Sequence, residues 1–243
     1  MPIEFIIAGF LFVLGFLYAS VGHGGASGYI AVFSLSGIAA GVYKPLVLLL
    51  NIIVSGSAFL QFKKAGFFKW KLIFPFLITS IPCAYIGAQF PLKANIYNLL
   101  LGLALIFPIA RLLQINPIDK ENRKEISLLA GLVTGAILGF AAGLLNIGGG
   151  IFLSPVLILM GWTNAKESAA ASAFFIFCNS IAGLLSIKGQ SFFVQDYSYL
   201  WFFTSISGGM IGAYFGSKLY QNKTIRYVLA SVMSIACLKL LFF

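Results

Sequence analysis

Two short stretches carry the polar groups able to meet a solute inside an otherwise apolar chain: Gly-His-Gly-Gly-Ala-Ser-Gly at residues 22–28, and Asn-Ile-Gly-Gly-Gly at 146–150 with Ser154 just beyond. His23 is the sole histidine. An imidazole of ordinary pKa, about 6.5, changes charge in the physiological range, so His23 is the candidate for gating or proton coupling. Ser27, Asn146 and Ser154 add hydroxyl and carboxamide donors. Glycine runs destabilise a helix, so each stretch marks a break. Unwound backbone at membrane depth leaves N–H and C=O groups needing partners, and it survives only where protein or a wet cavity surrounds it. Glycines let successive amides converge on one point, as Gly24, Gly25, Gly148, Gly149 and Gly150 would. The helix that follows each break begins with unpaired N–H groups and the positive end of its dipole. Two such amino termini make an anion cradle that needs no cationic side chain, with the amides of residues 24–28 and 148–152 as the donors.

The elements that must position these breaks are membrane helices. The chain is 60% hydrophobic and 9% charged over 243 residues, whereas soluble domains carry roughly 25% charged residues. Apolar segments run over 5–21, 29–42, 46–62, 72–90 and 94–113, then 127–145, 151–162, 168–187, 198–217 and 225–242. Spanning helices need roughly 20 apolar residues, and a β-barrel would show short alternating segments instead. The expected fold is all-α, a polytopic helical membrane protein. The amino terminus lacks a basic region ahead of its apolar run, so the first helix is expected to remain in place. Trp70, Trp162 and Trp201 fall near segment ends, where an aromatic belt is expected.

The chain is written twice. A shift of 124 residues lays Leu14-Gly15-Phe16 on Leu138-Gly139-Phe140, Gly24-Gly25 on Gly148-Gly149 and Gly37 on Gly161. One further residue of shift lays Ile86-Gly87-Ala88 on Ile211-Gly212-Ala213. The organisation read from this is a first transmembrane repeat over 1–114, a hydrophilic linker over 115–126 and a second repeat over 127–243. An odd number of crossings in each half would place Lys63, Lys64, Lys69, Lys71, Arg111, Lys120, Arg123, Lys124, Lys166, Lys218, Lys223 and Arg226 on one side. Lys44, Lys93, Lys188 and Lys239 would lie on the other, a split of twelve to four. An even number gives ten to six. Cytoplasmic loops collect Lys and Arg, which favours inverted repeats in the plasma membrane, a cytoplasmic linker and both termini outside. Inverted repeats are typical of secondary transporters, which bind substrate near the midplane.

The six acidic residues, Glu4, Asp119, Glu121, Glu125, Glu167 and Asp196, all lie at a terminus, in the linker or in loops. Cation carriers commonly keep an intramembrane carboxylate, so an anionic substrate fits better. Asn51 and Asn179 are read as helix–helix hydrogen-bonding residues, and Gly208, Gly209, Gly212 and Gly216 as a packing stripe.

The duplicated Gly-rich turn, its second copy followed by Ser-Pro and a short apolar segment ("NIGGGIFLSPVLILMGW"), resembles the TauE/SafE family of sulfite and organosulfonate exporters over residues 8 to 240. The resemblance implies a multi-spanning permease for sulfur-containing or related small anions such as sulfite, thiosulfate or a sulfonate. It adds Gly22 and Pro155 to the site residues and makes the second turn the stronger copy, since Ala26 and Ala31 stand where a third glycine and the proline would be. The expectation is a secondary transporter, an exporter, with a small anion and the lipid bilayer as partners and no cofactor. A passive anion channel, or a non-transporting membrane subunit, is the alternative. An intramembrane enzyme is a lesser one, because a hydrolase wants a base beside a nucleophile or a metal with several ligands. The net charge of +10 sits in short loops and reads as topology control, with no nucleic acid implied. Self-association stays open.

Overall fold

The computed structural model describes residues 3–38, 40–90, 125–187 and 197–242, with positions 99, 106, 109, 110 and 113. The apolar segment 94–113 and the linker 115–126 therefore lie largely outside the described residues. In chain order the helices are α1 (Ile3–Ser20), α2 (Ala26–Leu35), α3 (Ala40–Lys64), α4 (Trp70–Gly87), α5 (Leu128–Leu145), α6 (Gly150–Leu159), α7 (Ala165–Ser186), α8 (Ser198–Tyr214) and α9 (Asn222–Phe242). A π-turn, Phe215–Leu219, extends α8. There is no strand among the described residues. Among the described residues five helices, α1, α3, α4, α5 and α7, are long and apolar enough to cross a membrane.

Each half contains one interrupted pair, α1–α2 and α5–α6. The short second members start earlier than hydropathy alone suggests, at Ala26 and Gly150, and end at Leu35 and Leu159, each two residues before a turn glycine, Gly37 and Gly161. These two aligned glycines take nearly the same left-handed backbone, φ 73° and 71°. The apolar run over 29–42 had hidden that stop because Ile38, Ala39 and Ala40 continue it.

Helix directions follow from residue pairs. Along α3 and α7, Leu48 lies against Gly183, Asn51 bonds Ser180 at 2.8 Å, Gly56 faces Phe177, and the Phe59 and Phe174 rings sit 4.6 Å apart. One number rises as the other falls, so these two central helices are antiparallel. Helices α1 and α8 run parallel, with Phe12, Phe16 and Ser20 against Gly208, Gly212 and Gly216. Helices α4 and α5 also run parallel, with Phe76, Ser80 and Ala84 against Gly135, Gly139 and Gly143. Lys166 Nζ at the start of α7 donates to the Ser217 carbonyl in the π-turn that extends α8. Of the segments that correspond in the two halves, α3 and α7 are the pair whose contacts show opposite directions.

The seams between halves are close because glycine backbones pack on backbones. A Cβ at Gly139, Gly143, Gly208 or Gly212 would overlap main-chain atoms of the facing helix. Most of these glycines come from the second half, and Gly15 and Gly87 make the same contact from the first, against the Ser205 and Phe140 carbonyls. Small residues at this spacing give membrane helices their tight contacts.

Two tryptophans depart from the belt expectation. Trp162 is buried against Phe76, and Trp201 is buried with its indole N–H donating to the Glu4 carbonyl at 3.1 Å. Only Trp70, 54% exposed, faces outward.

At the Lys-rich end, Lys69 pairs with Glu167 at 2.8 Å, joining the α3–α4 turn to the start of α7. Glu167 also completes a capping box with Asn164. Phe59, Phe68, Trp70 and Phe174 interlock beside the pair at centroid distances of 4.6–5.5 Å. Glu167→Gln keeps the cap and loses the ion pair to Lys69, whose side chain is 56% exposed. Exposed pairs contribute about 0–1 kcal/mol. Thermal unfolding in detergent should therefore shift by less than about 1 kcal/mol, whereas Glu167→Ala, which also loses the box, should shift it further.

Candidate functional site

The two breaks are buried and are brought together by contacts with α3 and α7. In the first, α1 ends at Ser20 and the chain turns through Gly22 (φ 78°) and Gly25 (φ 92°). In the second, Asn146 closes α5 in a left-handed conformation (φ 52°), and Gly148 and Gly149 continue at φ 71° and 74°. Asn146 is the one non-glycine residue with positive φ among the described residues. Its backbone N–H caps α5 by donating to the Ala142 and Gly143 carbonyls, so its observed part is to turn the chain.

Sequence-distant contacts tie the breaks together. His23 is 3% exposed, and its Nε2 lies 3.4 Å from Ser154 Oγ on α6. Ser154 donates to Ser172 Oγ at 2.7 Å, and Ser168 Oγ donates to the Ser154 carbonyl at 3.0 Å, both from α7. Asn51, 0% exposed on α3, reaches both turns. Its Nδ2 donates to Ser180 Oγ at 2.8 Å and to the Ile147 carbonyl at 3.4 Å, while a Cβ on Gly24 would coincide with its Oδ1. Gly22 lies on the Ala169 backbone, and Gly148 against Ser180 and Asn51. Ser27 hydrogen-bonds Tyr18 at 2.8 Å. Pro155 is buried in α6, where its missing N–H leaves the Ile151 carbonyl without its helical donor.

The amides are the notable feature. In the first break Val21, Gly22 and His23 donate back to α1, and the next internal bond is Tyr29 to the Gly25 carbonyl. The N–H groups of residues 24–28 have no acceptor among the described residues. In the second break Asn146 and Ile147 donate back to α5, and Phe152 and Leu153 both donate to the Gly149 carbonyl. That leaves residues 148–151 without an acceptor, so Phe152, expected to belong to the cradle, is instead taken up by its own helix. Nearly all nine of these residues are buried, Ser27 being half-buried. A buried polar group without a partner costs about 1–3 kcal/mol, and a buried helix start without caps is unusual. His23 Nδ1, Asn51 Oδ1 and both polar atoms of Asn179 are also buried without a hydrogen bond. No lysine or arginine stands among the buried residues described.

The site so built is uncharged, rich in backbone donors and bordered by two helix starts, which is chemistry for holding an anion by hydrogen bonds. Asn51 belongs to it although its sequence context shows only a polar residue in an apolar helix. Its partners lie 96 and 129 residues away.

The family model described as Sulfite exporter TauE/SafE matches residues 6–240 of the chain. The chain is 34% identical over 234 residues, 95% of each protein, to "Probable membrane transporter protein y4hK" of Sinorhizobium fredii. A probable membrane transporter protein of Methanocaldococcus jannaschii is 28% identical, over 97% of this chain and 93% of its own. Another from Bacillus subtilis, YunE, is 27% identical over 77% and 75%. No solved structure matches.

Proposed function

This chain belongs to the sulfite exporter TauE/SafE family, and from that premise we propose that it moves a small sulfur-containing or organic anion across the plasma membrane by secondary transport, with export the direction. It is an integral, multi-pass membrane protein and a membrane transporter. The observation that carries the anion reading is the pair of amide runs, 24–28 and 148–151, buried without acceptors. The substrate's oxygens would accept from these N–H groups, with the Ser27 hydroxyl adding a donor, while Ser154, whose own proton goes to Ser172, and His23 would line the site. His23 joins the first break to α6 through Ser154, a position from which protonation would alter contact between halves.

The antiparallel run of α3 and α7 supports an inverted-repeat arrangement, in which one half moves against the other and exposes the site to each side in turn. Asn51 and His23 are the contacts any such movement must remake.

The test is a thermal-shift panel on detergent-purified protein with sulfite, thiosulfate, sulfonates and carboxylates, followed by counterflow in proteoliposomes. An anion at about 100 times its Kd raises stability by roughly 2.7 kcal/mol, a plain shift in melting midpoint. Asn51→Asp, nearly isosteric, puts a carboxylate beside Gly24 and should lose that shift. Saturable counterflow is expected. Flux that is only passive and linear with concentration would replace the transporter with a channel.

A further inference from the structure

The acceptors in the site constrain the anion it takes, on the premise that the anion sits at the two breaks. Asn51 is oriented by the Ile147 carbonyl: Nδ2 faces that acceptor at 3.4 Å and donates to Ser180 Oγ at 2.8 Å. Exchanging its nitrogen and oxygen would set two acceptors against each other. Oδ1 therefore points at Gly24, fully buried and without a donor. Asn179, 2% exposed, is a second such residue, seven positions from Ser172 and so on the same face of α7 that meets Ser154. A bare anion seated on amides 24–28 would bring one negative oxygen toward another at Asn51. The conflict disappears if the solute carries a proton there.

Charge points the same way. Each helix start supplies roughly half an elementary charge, so two supply about one. No buried lysine or arginine adds to it among the described residues. A second negative charge would be buried without compensation, which is strongly disfavoured.

We infer that the transported anion is singly charged and bears its own hydrogen-bond donor, a hydroxyl or an acid O–H, which Asn51 Oδ1 accepts while the amides of the two breaks hold the charge.

Matched ligands test this on the full-length protein in detergent at one pH. In the first pair 2-hydroxyethanesulfonate is set against ethanesulfonate, in the second hydrogen carbonate against nitrate, and sulfate serves as the dianion. The donor-bearing member of at least one pair should bind about tenfold more tightly, and which pair responds identifies an alcohol or an acid proton as the source. Sulfate should bind at least about tenfold more weakly than the better monoanion. In Asn51→Ala the ratio within the responding pair should fall toward one; if that variant does not fold, the wild-type ratios decide alone. Equal affinities within both pairs, or sulfate binding as well as the monoanions, would overturn the inference and leave the anion site standing. Absence of any anion response would instead remove the site on which it rests.

Discussion

Gly143→Val should give no folded protein: no monodisperse peak after detergent extraction, and no cooperative unfolding transition. A Cβ at Gly143 would overlap the Ala84 carbonyl and crowd the Ala88 amide, and neither can rotate away because both belong to the α4 end of the seam. Ordinary overpacking costs about 1–3 kcal/mol when side chains can give. Here backbone must separate along the whole α4–α5 contact, where Gly135 and Gly139 are equally tight. A loss above about 3 kcal/mol is a large part of the roughly 5–15 kcal/mol that holds a domain together. Gly212→Val should do the same to the α1–α8 seam, where the Phe16 carbonyl occupies the Cβ position. Gly9→Val is the control, since nothing lies within 4 Å of that position, and it should extract and unfold like the parent. A folded Gly143→Val would show that the seam is looser than described.

Gly24→Ala should abolish transport, by more than about tenfold in counterflow, while leaving a folded protein. Gly24, unlike Gly22 and Gly25, is not in the left-handed region, so alanine meets no backbone strain there. Its single methyl falls on Asn51 Oδ1. The carboxamide must move, breaking its bonds to Ser180 and Ile147 and separating the first break from the second. Losing hydrogen bonds at a buried site costs about 1–3 kcal/mol, a lower melting midpoint but not unfolding. The double variant Gly24→Ala with Asn51→Ala relieves the overlap. It should regain part of the stability and none of the transport, because the acceptor is gone. Full recovery of counterflow in the double variant would assign Asn51 a packing role alone. The experiment is sharper than Gly149→Val, where φ 74° and contacts with Ala142 and Phe175 would disturb the turn whatever its function.

Much was legible in the residues because it depends on near neighbours. Hydropathy runs mark helices, since an apolar stretch and its own internal hydrogen bonds need no distant partner to be stable in lipid. Glycine pairs mark breaks by the same local reasoning, and the aligned turn glycines Gly37 and Gly161 show how far a duplicated pattern carries. The stripe at Gly208, Gly212 and Gly216 was readable as a packing face. The run at Gly131, Gly135, Gly139 and Gly143, with the same spacing, was read only in part, as the match of Gly139 to Gly15. The left-handed backbone at Asn146 is a local property too, since asparagine is the non-glycine residue that most readily adopts it. Trp162 and Trp201 misled because a segment end in sequence need not be a lipid boundary once a neighbouring helix covers it.

The sequence alone determined that this is a helical membrane protein, broken twice by glycine-rich turns, and without a carboxylate to offer a cation midway through its apolar segments. Folding in three dimensions decided that the breaks come together, that α3 and α7 run antiparallel, and that Asn51 serves both. The reason is physical: a helix or a turn is specified by energies between residues a few positions apart, whereas Asn51 meets Ile147 and Ser180 across 96 and 129 residues. A contact of that range is fixed by how whole helices pack, and nothing in the local pattern around residue 51 encodes it.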